Sequence, residues 1–194
     1  IENIFQHRIV LEKHAPRTQQ FFHLNRILQS LFGRQILFHR VEAYDISNIS
    51  GTSPTGSMVV FIDGKPAKAE YRIFNVKTVQ GVSDVDMMKE VLRRRLSHAE
   101  WPYPELIVLD GGKPQLNAVL SVMRERFGLQ IPFILAALAK REEELFILGV
   151  RSPVRIFSLP PPASNFFQHI RDEAHRFAKK QHHRLRKKKF QEGE

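Results

Sequence analysis

Apolar residues in the first 33 positions recur at the spacing of an amphipathic helix. In the second half of this segment they are Phe21, Phe22, Ile27, Leu28 and Leu31. Gly33 follows them, and glycine often ends a helix because it adopts the left-handed conformation without strain. The pattern predicts a helical extension over residues 1–33, ahead of the main domain.

Short apolar runs bounded by turn residues then replace the helical pattern. Residues 41–47 and 57–64 predict two strands, and residues 68–76 alternate apolar and polar side chains as a half-buried antiparallel strand does. The run at 105–112 is apolar until it ends in Asp110 and two glycines, which is typical of a strand buried on both faces.

Helices and further strands alternate along the middle of the chain. Residues 84–96 predict a helix with acidic residues in its first turn and arginines in its last, an order that the helix dipole favours. The other elements predicted there are a helix at 114–127, a strand at 131–138 and short strands at 145–148 and 154–158. Together these elements predict an α/β fold, a mixed sheet of five or six strands with helices on both faces.

The C-terminal part of the chain predicts one long, basic helix. Three prolines at 160–162 are expected to stop regular structure. The pattern after them indicates a helix from about Ser164 to beyond Arg186. We therefore predict one folded domain over 34–186 and a basic tail over 187–194.

The charge balance narrows the class of partner. Lys and Arg number 30 against 20 Asp and Glu, a formal net charge of +10, and such a surplus favours a polyanion such as nucleic acid. The absence of cysteine excludes disulfides, zinc–thiolate sites and cysteine nucleophiles. No segment approaches the roughly 20 apolar residues that span a bilayer, and the N-terminus lacks the form of a secretory signal. These features predict a cytoplasmic protein.

Two aspartates stand at the ends of predicted strands. Asp45 precedes a stretch of small and polar residues, and Asp110 precedes Gly111 and Gly112. Neighbouring carboxylates at such positions repel each other unless a divalent cation joins them, and Mg²⁺ or Mn²⁺ prefers oxygen ligands. The alternative for each is structural, because an Asp before Gly-Gly is often a turn or capping residue and Asp45 can be a polar strand end.

A histidine in the last helix is a third candidate. His175 lies at the margin of an apolar stripe, where its side chain can leave the core and face a cleft. An imidazole in that place can bind a metal or exchange a proton near neutral pH. The chain has nine histidines, so a structural or solvated role is the alternative.

The Gly111-Gly112-Lys113 sequence is not a Walker phosphate loop. That motif requires a glycine five residues before the Gly-Lys pair and a Ser or Thr after the Lys, whereas Pro114 follows Lys113.

A dense basic stretch from Arg171 to Lys189 suggests contact with a phosphate backbone, with a merely solvated face as the alternative. Its candidate nucleic-acid-binding residues are Arg171, Arg176, Lys179, Lys180, Arg184 and Arg186.

Five ordered segments resemble the C-terminal nuclease region of the UvrC family. They are VEAYDISNISGTSPTGSMVVFIDGKPAKAEYRIFNV from residue 41, DVDMMKEVLRRRL from 84, LIVLDGGKPQLNAV from 106, LAKREEELF from 138 and HIRDEAHRFA from 169. Five segments in the same order are more specific than any one of them. The resemblance extends over roughly 41–186, most of the chain.

The resemblance implies a ribonuclease H-like fold and an Asp-Asp-His catalytic and metal-binding set. By position this set corresponds to Asp45, Asp110 and His175, and a further family acid corresponds to Asp84. The implied activity is Mg²⁺- or Mn²⁺-dependent incision of damaged double-stranded DNA on the 5′ side of a lesion. The implied partner is UvrB, loaded onto the DNA by UvrA.

Two lysines are plausible phosphate contacts near such a set. They are Lys113 and Lys140, with ordinary surface lysines as the alternative.

Two other functions remain open at this point. One is a different nuclease of the same fold, endonuclease V-like or Argonaute-like, and the other is a non-catalytic basic domain that binds nucleic acid. The chain carries no match to the family's other nuclease domain or to its helix-hairpin-helix pair, and residues 1–33 do not clearly match the UvrB-binding segment. Whether these parts are truncated or naturally absent stays open.

Overall fold

One mixed sheet with helices on both faces organises the residues that the computed structural model describes, which are 18–47, 54–77, 83–139 and 143–191. In chain order the elements are α1 (Gln19–Phe32), β1 (Arg40–Ser47), β2 (Thr55–Ile62), β3 (Lys65–Pro66), β4 (Arg72–Asn75), α2 (Asp84–Ser97), β5 (Leu106–Asp110), α3 (Lys113–Phe127), β6 (Ile134–Ala139), β7 (Glu144–Ile147), β8 (Val154–Arg155) and α4 (Pro161–Gln191).

The sheet has a parallel centre and antiparallel flanks. The strand order is β3-β2-β1-β5-β6-β7-β8, and β4 pairs with β2 beside β3. β1, β5 and β6 run parallel, whereas the other neighbours are antiparallel. The C-terminal ends of β1, β5 and β6 therefore meet at one edge of the sheet, called the carboxyl edge below.

The predicted fold class is confirmed, with a correction in the strand count. Within the described residues the sheet has eight strands rather than five or six. The two-residue strand β8 lies inside the predicted strand 154–158, whereas β3 is too short to give a pattern. Residues 68–76 are not one strand: Lys68–Glu70 form a 3₁₀ turn, and the strand begins at Arg72. Residues 154–158 likewise end in a 3₁₀ turn, at Ile156–Ser158.

The two ends of the chain differ from expectation in different ways. In the predicted extension, α1 ends as expected at Gly33, which has a φ of 61°, whereas residues 1–17 lie outside the described residues.

The last helix begins at Pro161 rather than near Ser164, so the prolines at 160–162 do not prevent helix formation. Proline suits the first turn of a helix because the N–H groups there have no partner within the helix. The proposed domain limits of 34–186 and 187–194 stay a prediction.

Aromatic packing fixes α4 on the face of the sheet that it shares with α1. The rings of Phe61 on β2 and Phe166 on α4 lie 5.8 Å apart, and Phe32 on α1 contacts Phe167 at 6.4 Å. α2 packs on β1 and β2 and also against α3. Among the described helices, none has the length and apolar character needed to span a bilayer.

A buried ionic network lies between β1 and α2. The Glu42 carboxylate is fully buried and accepts hydrogen bonds from Arg40, Arg95 and the Tyr44 hydroxyl, at 2.6–3.2 Å. Burial, and then the neighbouring Glu42 charge, raises the pKa of Tyr44 well above its usual range. Two guanidinium groups and a hydroxyl compensate one carboxylate that has lost its water, so each partner is costly to remove.

We expect R95M to lower the free energy of unfolding by about 3–5 kcal/mol, because it leaves the buried Glu42 with only one cation. The matched control is R93M, two residues away on the same helix, which breaks the exposed Arg93–Glu125 pair and should cost less than about 1 kcal/mol. Urea-induced unfolding measures both values. Equal losses in the two variants would contradict this account of the network.

Candidate metal centre

The parallel pairing of β1 and β5 brings two aspartates side by side at the carboxyl edge. Tyr44 is level with Leu109 in the register of these strands, so the next residues, Asp45 and Asp110, are neighbours with side chains on the same face. The Asp45 side chain is only 7% exposed. The Ser57 hydroxyl on β2 donates a 3.4 Å hydrogen bond to the Asp45 backbone carbonyl. Two carboxylates thus share one small, partly buried space.

α4 contributes an imidazole to the same space. His175 Nδ1 lies 3.7 Å from Asp45 Oδ2, and one donor atom from each of Asp45, Asp110 and His175 lies within 4.8 Å of the others. The His175 side chain is 45% exposed, so the cluster lies between the core and solvent. Across the described ranges, no other group of three His, Asp or Glu side chains comes together in this way.

The start of α3 borders Asp110. The Gly111 N–H donates to the Leu138 carbonyl at 2.9 Å, and the Gly112 N–H donates to Gln115 Oε1 at 3.0 Å. A Cβ on Gly111 would lie 2.8 Å from the Gln115 side chain, so this tight turn requires glycine unless Gln115 moves. The positive end of the α3 dipole, with the exposed Lys113 as its first residue, therefore lies next to the carboxylates.

The donor set fits a hard divalent cation. Mg²⁺ binds oxygen ligands at about 2.0–2.1 Å, so two ligands of one ion lie up to about 4.2 Å apart. The 4.8 Å spread of these donor atoms needs a shift of less than an ångström. Two carboxylates and one imidazole also suit Mn²⁺, which accepts nitrogen as well as oxygen.

An ion pair and a hydrogen bond tie α4 to the sheet in the turn before His175. Arg171 donates to Glu143, which precedes β7, at 2.7 Å. Glu173 accepts hydrogen bonds from the Tyr71 hydroxyl at 2.9 Å and from Arg176 at 2.6 Å. The hydrogen bonds from Arg176 hold the pKa of Glu173 below its usual value. Burial and the bond to Glu173 together raise the pKa of Tyr71 well above its usual value.

The structure distinguishes among the predicted nucleic-acid contacts. Lys179, Lys180 and Arg184 are exposed along α4. Arg171 pairs with Glu143 and Asp172 instead, and Arg176 pairs with Glu173, so part of their charge is neutralised within the protein. Lys140 and the Arg186 side chain lie outside the described residues.

Asp84 does not join the three-residue cluster, and its role stays a prediction. It is exposed in the first turn of α2, where the Ser83 hydroxyl caps the helix by accepting from the Asp86 N–H. Sequence reasoning did not single out Glu143 or Tyr71. The run Glu142-Glu143-Glu144 gives no signal as to which glutamate faces α4, and nothing in the sequence links Tyr71 to residue 173.

The chain is similar over most of its length to one protein family. Residues 29–178 match the family model described as the UvrC RNase H endonuclease domain. The UvrABC system protein C of Dictyoglomus thermophilum is 45% identical over 165 residues, which are 84% of this chain and 27% of that protein. That of Prosthecochloris aestuarii is 40% identical over 198 residues, 97% of this chain and 31% of that protein. The chain thus spans less than a third of the length of these relatives.

Among solved structures, the chain is similar to Ciona intestinalis endonuclease V in complex with an inosine-containing 24mer DNA. The TM-score is 0.38 with 18% sequence identity, over 69% of this chain and 59% of that one. A likeness at this level does not constrain function. The family match and the strand order identify the fold as ribonuclease H-like.

We expect Mn²⁺ to stabilise the chain against unfolding, by about 2.7 kcal/mol at 100 times its dissociation constant, because the folded state alone brings the three donors together. D45N and D110N should abolish most of this gain and raise the stability of the metal-free chain, since each removes the repulsion between the carboxylates. Thermal unfolding with and without Mn²⁺ measures both effects. D86N, which alters an exposed acid on α2, is the control. If Mn²⁺ stabilised D45N against unfolding as much as it stabilised the wild type, the proposed metal centre would be wrong.

Proposed function

The chain belongs to the UvrC RNase H endonuclease domain family, and on that basis we propose that it is a metal-dependent DNA endonuclease of nucleotide excision repair. It hydrolyses a phosphodiester of the damaged strand on the 5′ side of the lesion. The observation that supports this proposal most strongly is the convergence of Asp45, Asp110 and His175 at the carboxyl edge. A domain that only bound nucleic acid would not need two adjacent carboxylates, which repel the phosphates of its ligand.

Asp45 and Asp110 would hold the Mg²⁺ or Mn²⁺ ion, with His175 as a further ligand or as a group that exchanges a proton. The ion, when bound, polarises the phosphodiester and lowers the pKa of a water molecule. An imidazole in place of a third carboxylate keeps the charge of the centre at two negatives rather than three. With one divalent cation bound, the centre is then neutral rather than negative, and it repels the DNA less.

Hydrolysis joins the oxygen of water to phosphorus and breaks the bond between phosphorus and the 3′ oxygen. The products are a 3′-hydroxyl and a 5′-phosphate. His175 is suited to a proton transfer in this reaction because its side chain is half-exposed beside Asp45 and an imidazole can exchange a proton near neutral pH. Lys113 and the N-terminus of α3 favour a phosphate next to Asp110.

α4 carries a basic surface from the metal centre away from the sheet. Phe166 contacts Phe61, which is level with Val41 near the start of β1, whereas His175 faces Asp45 near its end. α4 therefore runs along β1 toward the carboxyl edge and continues past it. At a rise of 1.5 Å per residue, Arg184 lies about 14 Å beyond His175.

The exposed cations on this part of α4 are Lys179, Lys180 and Arg184. We propose that they bind the DNA backbone next to the bond that is cut.

The partners of the proposed reaction are those named for the family. UvrB bound to the lesion would present the strand, after UvrA has loaded it. The relatives named above are UvrABC system proteins more than three times as long as the matched region, so residues outside this chain are available for recruitment. A cytoplasmic location agrees with a chain that contains no cysteine.

The decisive test is an incision assay on a lesion-bearing duplex with UvrB already loaded, in which the cut is mapped. We expect incision on the 5′ side, and D45A or D110A should slow it by more than about 100-fold, the upper loss typical of changing a residue that only supports a metal ligand. Folding and DNA binding should be nearly unchanged, and D86A serves as the control. Incision at the wild-type rate by either variant would refute the site, and cutting without regard to the lesion would refute the repair function.

We expect charge reversal of the exposed α4 cations, in the series K179E, K180E and R184E, to weaken DNA binding. Each lost phosphate contact should reduce the slope of log K against log salt by about 0.9. The control is R124E with R126E, because these exposed arginines end α3 at the opposite edge of the sheet. Affinity and salt slope equal to those of the wild type would leave this surface without a role in DNA binding.

A further inference from the structure

Glu143 has an unusual position for a glutamate. It lies directly before β7, with a φ of 50° in the left-handed region, which is strained for a residue with a side chain. Its backbone carbonyl accepts a 2.9 Å hydrogen bond from the Ile156 N–H. Its carboxylate is three-quarters buried, and within the described residues its Oε2 has no hydrogen-bond partner. The strained backbone of Glu143 holds a largely buried carboxylate in one place. This combination indicates that the position of the carboxylate matters for the protein.

The carboxylate of Glu143 is directed at the helix that carries His175. Its Oε1 accepts a 2.7 Å charge-assisted hydrogen bond from Arg171, whose side chain is only 20% exposed. Although burial alone would lower the pKa of Arg171, the bonds to Glu143 and Asp172 raise it above its usual value, so the guanidinium stays charged. Arg171 precedes His175 by four residues, which places both on the same face of α4 in successive turns.

Glu143 is also tied to the strand next to Asp110. β7 begins one residue later and pairs with β6, where Glu144 is level with Ala139. β6 in turn pairs with β5, where Leu138 is level with Asp110. The Arg171–Glu143 ion pair therefore links α4, through β7 and β6, to the end of β5. That end carries Asp110, one of the carboxylates of the metal centre.

His175 depends on such a connection more than the aspartates do. Asp45 and Asp110 are fixed by the hydrogen bonds of adjacent strands, whereas α4 makes its backbone hydrogen bonds internally and rests on the sheet through side chains. The side chain of His175 lies about 6 Å from the helix axis, so a 20° rotation of α4 would displace the imidazole by about 2 Å. That displacement is as long as a metal–ligand bond.

The opposite side of α4 has its own anchor. The Tyr71 hydroxyl donates to Glu173, and the rings of Tyr71 and Phe177 lie 5.0 Å apart. Arg171 and Glu173 precede His175 by four and two residues, and their side chains bond to residues next to different strands, β7 and β4. Two anchors on different sides of a helix oppose its rotation, whereas either one alone leaves the helix able to turn.

We propose that Glu143, acting through Arg171, is a positioning residue for His175 and thereby determines how tightly the centre binds its divalent ion. This inference rests on the proposed function, since it takes the three-residue cluster as the metal centre. It assigns Arg171 to the support of α4 rather than to a phosphate contact.

The test is a double-mutant cycle on Mn²⁺ affinity, measured from the electron paramagnetic resonance signal of free Mn²⁺ during titration of the whole chain. E143Q should weaken Mn²⁺ binding about tenfold in the wild-type background, as loss of a supporting contact typically does. In an H175Q background, titrated to millimolar Mn²⁺, the same change should have less than a twofold effect, because the ligand that it positions is gone. R171Q breaks the ion pair from the helix side and should match E143Q.

The matched control is E125Q, which breaks the exposed Arg93–Glu125 ion pair between α2 and α3 and should leave Mn²⁺ affinity within twofold of the wild type. Circular dichroism shows whether each variant is folded at the titration temperature. If E143Q is unfolded, the Mn²⁺ affinity of R171Q tests the same ion pair. Unchanged Mn²⁺ affinity in E143Q, or an equal loss with and without His175, would overturn the positioning role alone. Absence of Mn²⁺ binding to the wild type would overturn the metal centre and this inference together.

Discussion

The repulsion between two carboxylates is the constraint around which this protein is arranged. Parallel pairing of β1 with β5 fixes Asp45 and Asp110 on neighbouring strands and on the same face, so their charges cannot separate without breaking the sheet. The surroundings oppose that repulsion only in part, through the N-terminus of α3 and an imidazole that can carry a proton. A divalent cation would complete the balance, which is the physical basis for proposing a metal centre rather than a polar edge.

The two faces of β1 show how environment decides what a carboxylate can do. Glu42 faces α2, where Arg40, Arg95 and a tyrosine hydroxyl neutralise it inside the protein. Asp45, three residues later and on the other face, meets a second carboxylate and an imidazole instead. One strand thus provides an anion that two guanidinium groups and a hydroxyl neutralise and another anion that lies beside a second negative charge, because alternate residues point to opposite faces.

Different turns of α4 have three different roles. Its first turns pack Phe166 and Phe167 into the core, its middle turns present His175 to the carboxyl edge, and its later turns carry exposed cations beyond the sheet. The core contacts fix the height of the helix above the sheet, but apolar packing alone defines its rotation poorly. The Arg171–Glu143 ion pair and the hydrogen bond from Tyr71 to Glu173 fix that rotation, since a hydrogen bond to a charged group has a preferred geometry.

The sequence by itself determined the order of the main elements, the α/β class, the family and the three residues that meet at the carboxyl edge. These features are carried by local patterns: hydrophobic periodicity, an acid at the end of an apolar strand, and five ordered segments. The two-residue strand β3, the helix start at Pro161 and the contacts of Glu143 and Tyr71 came only from the tertiary structure. A strand of two residues has no period, and one glutamate among three becomes distinct only when β7 turns back beside α4. Periodicity is a property of neighbours in the chain, whereas the pairing of residues 143 and 171, or 71 and 173, is decided by how the whole sheet folds.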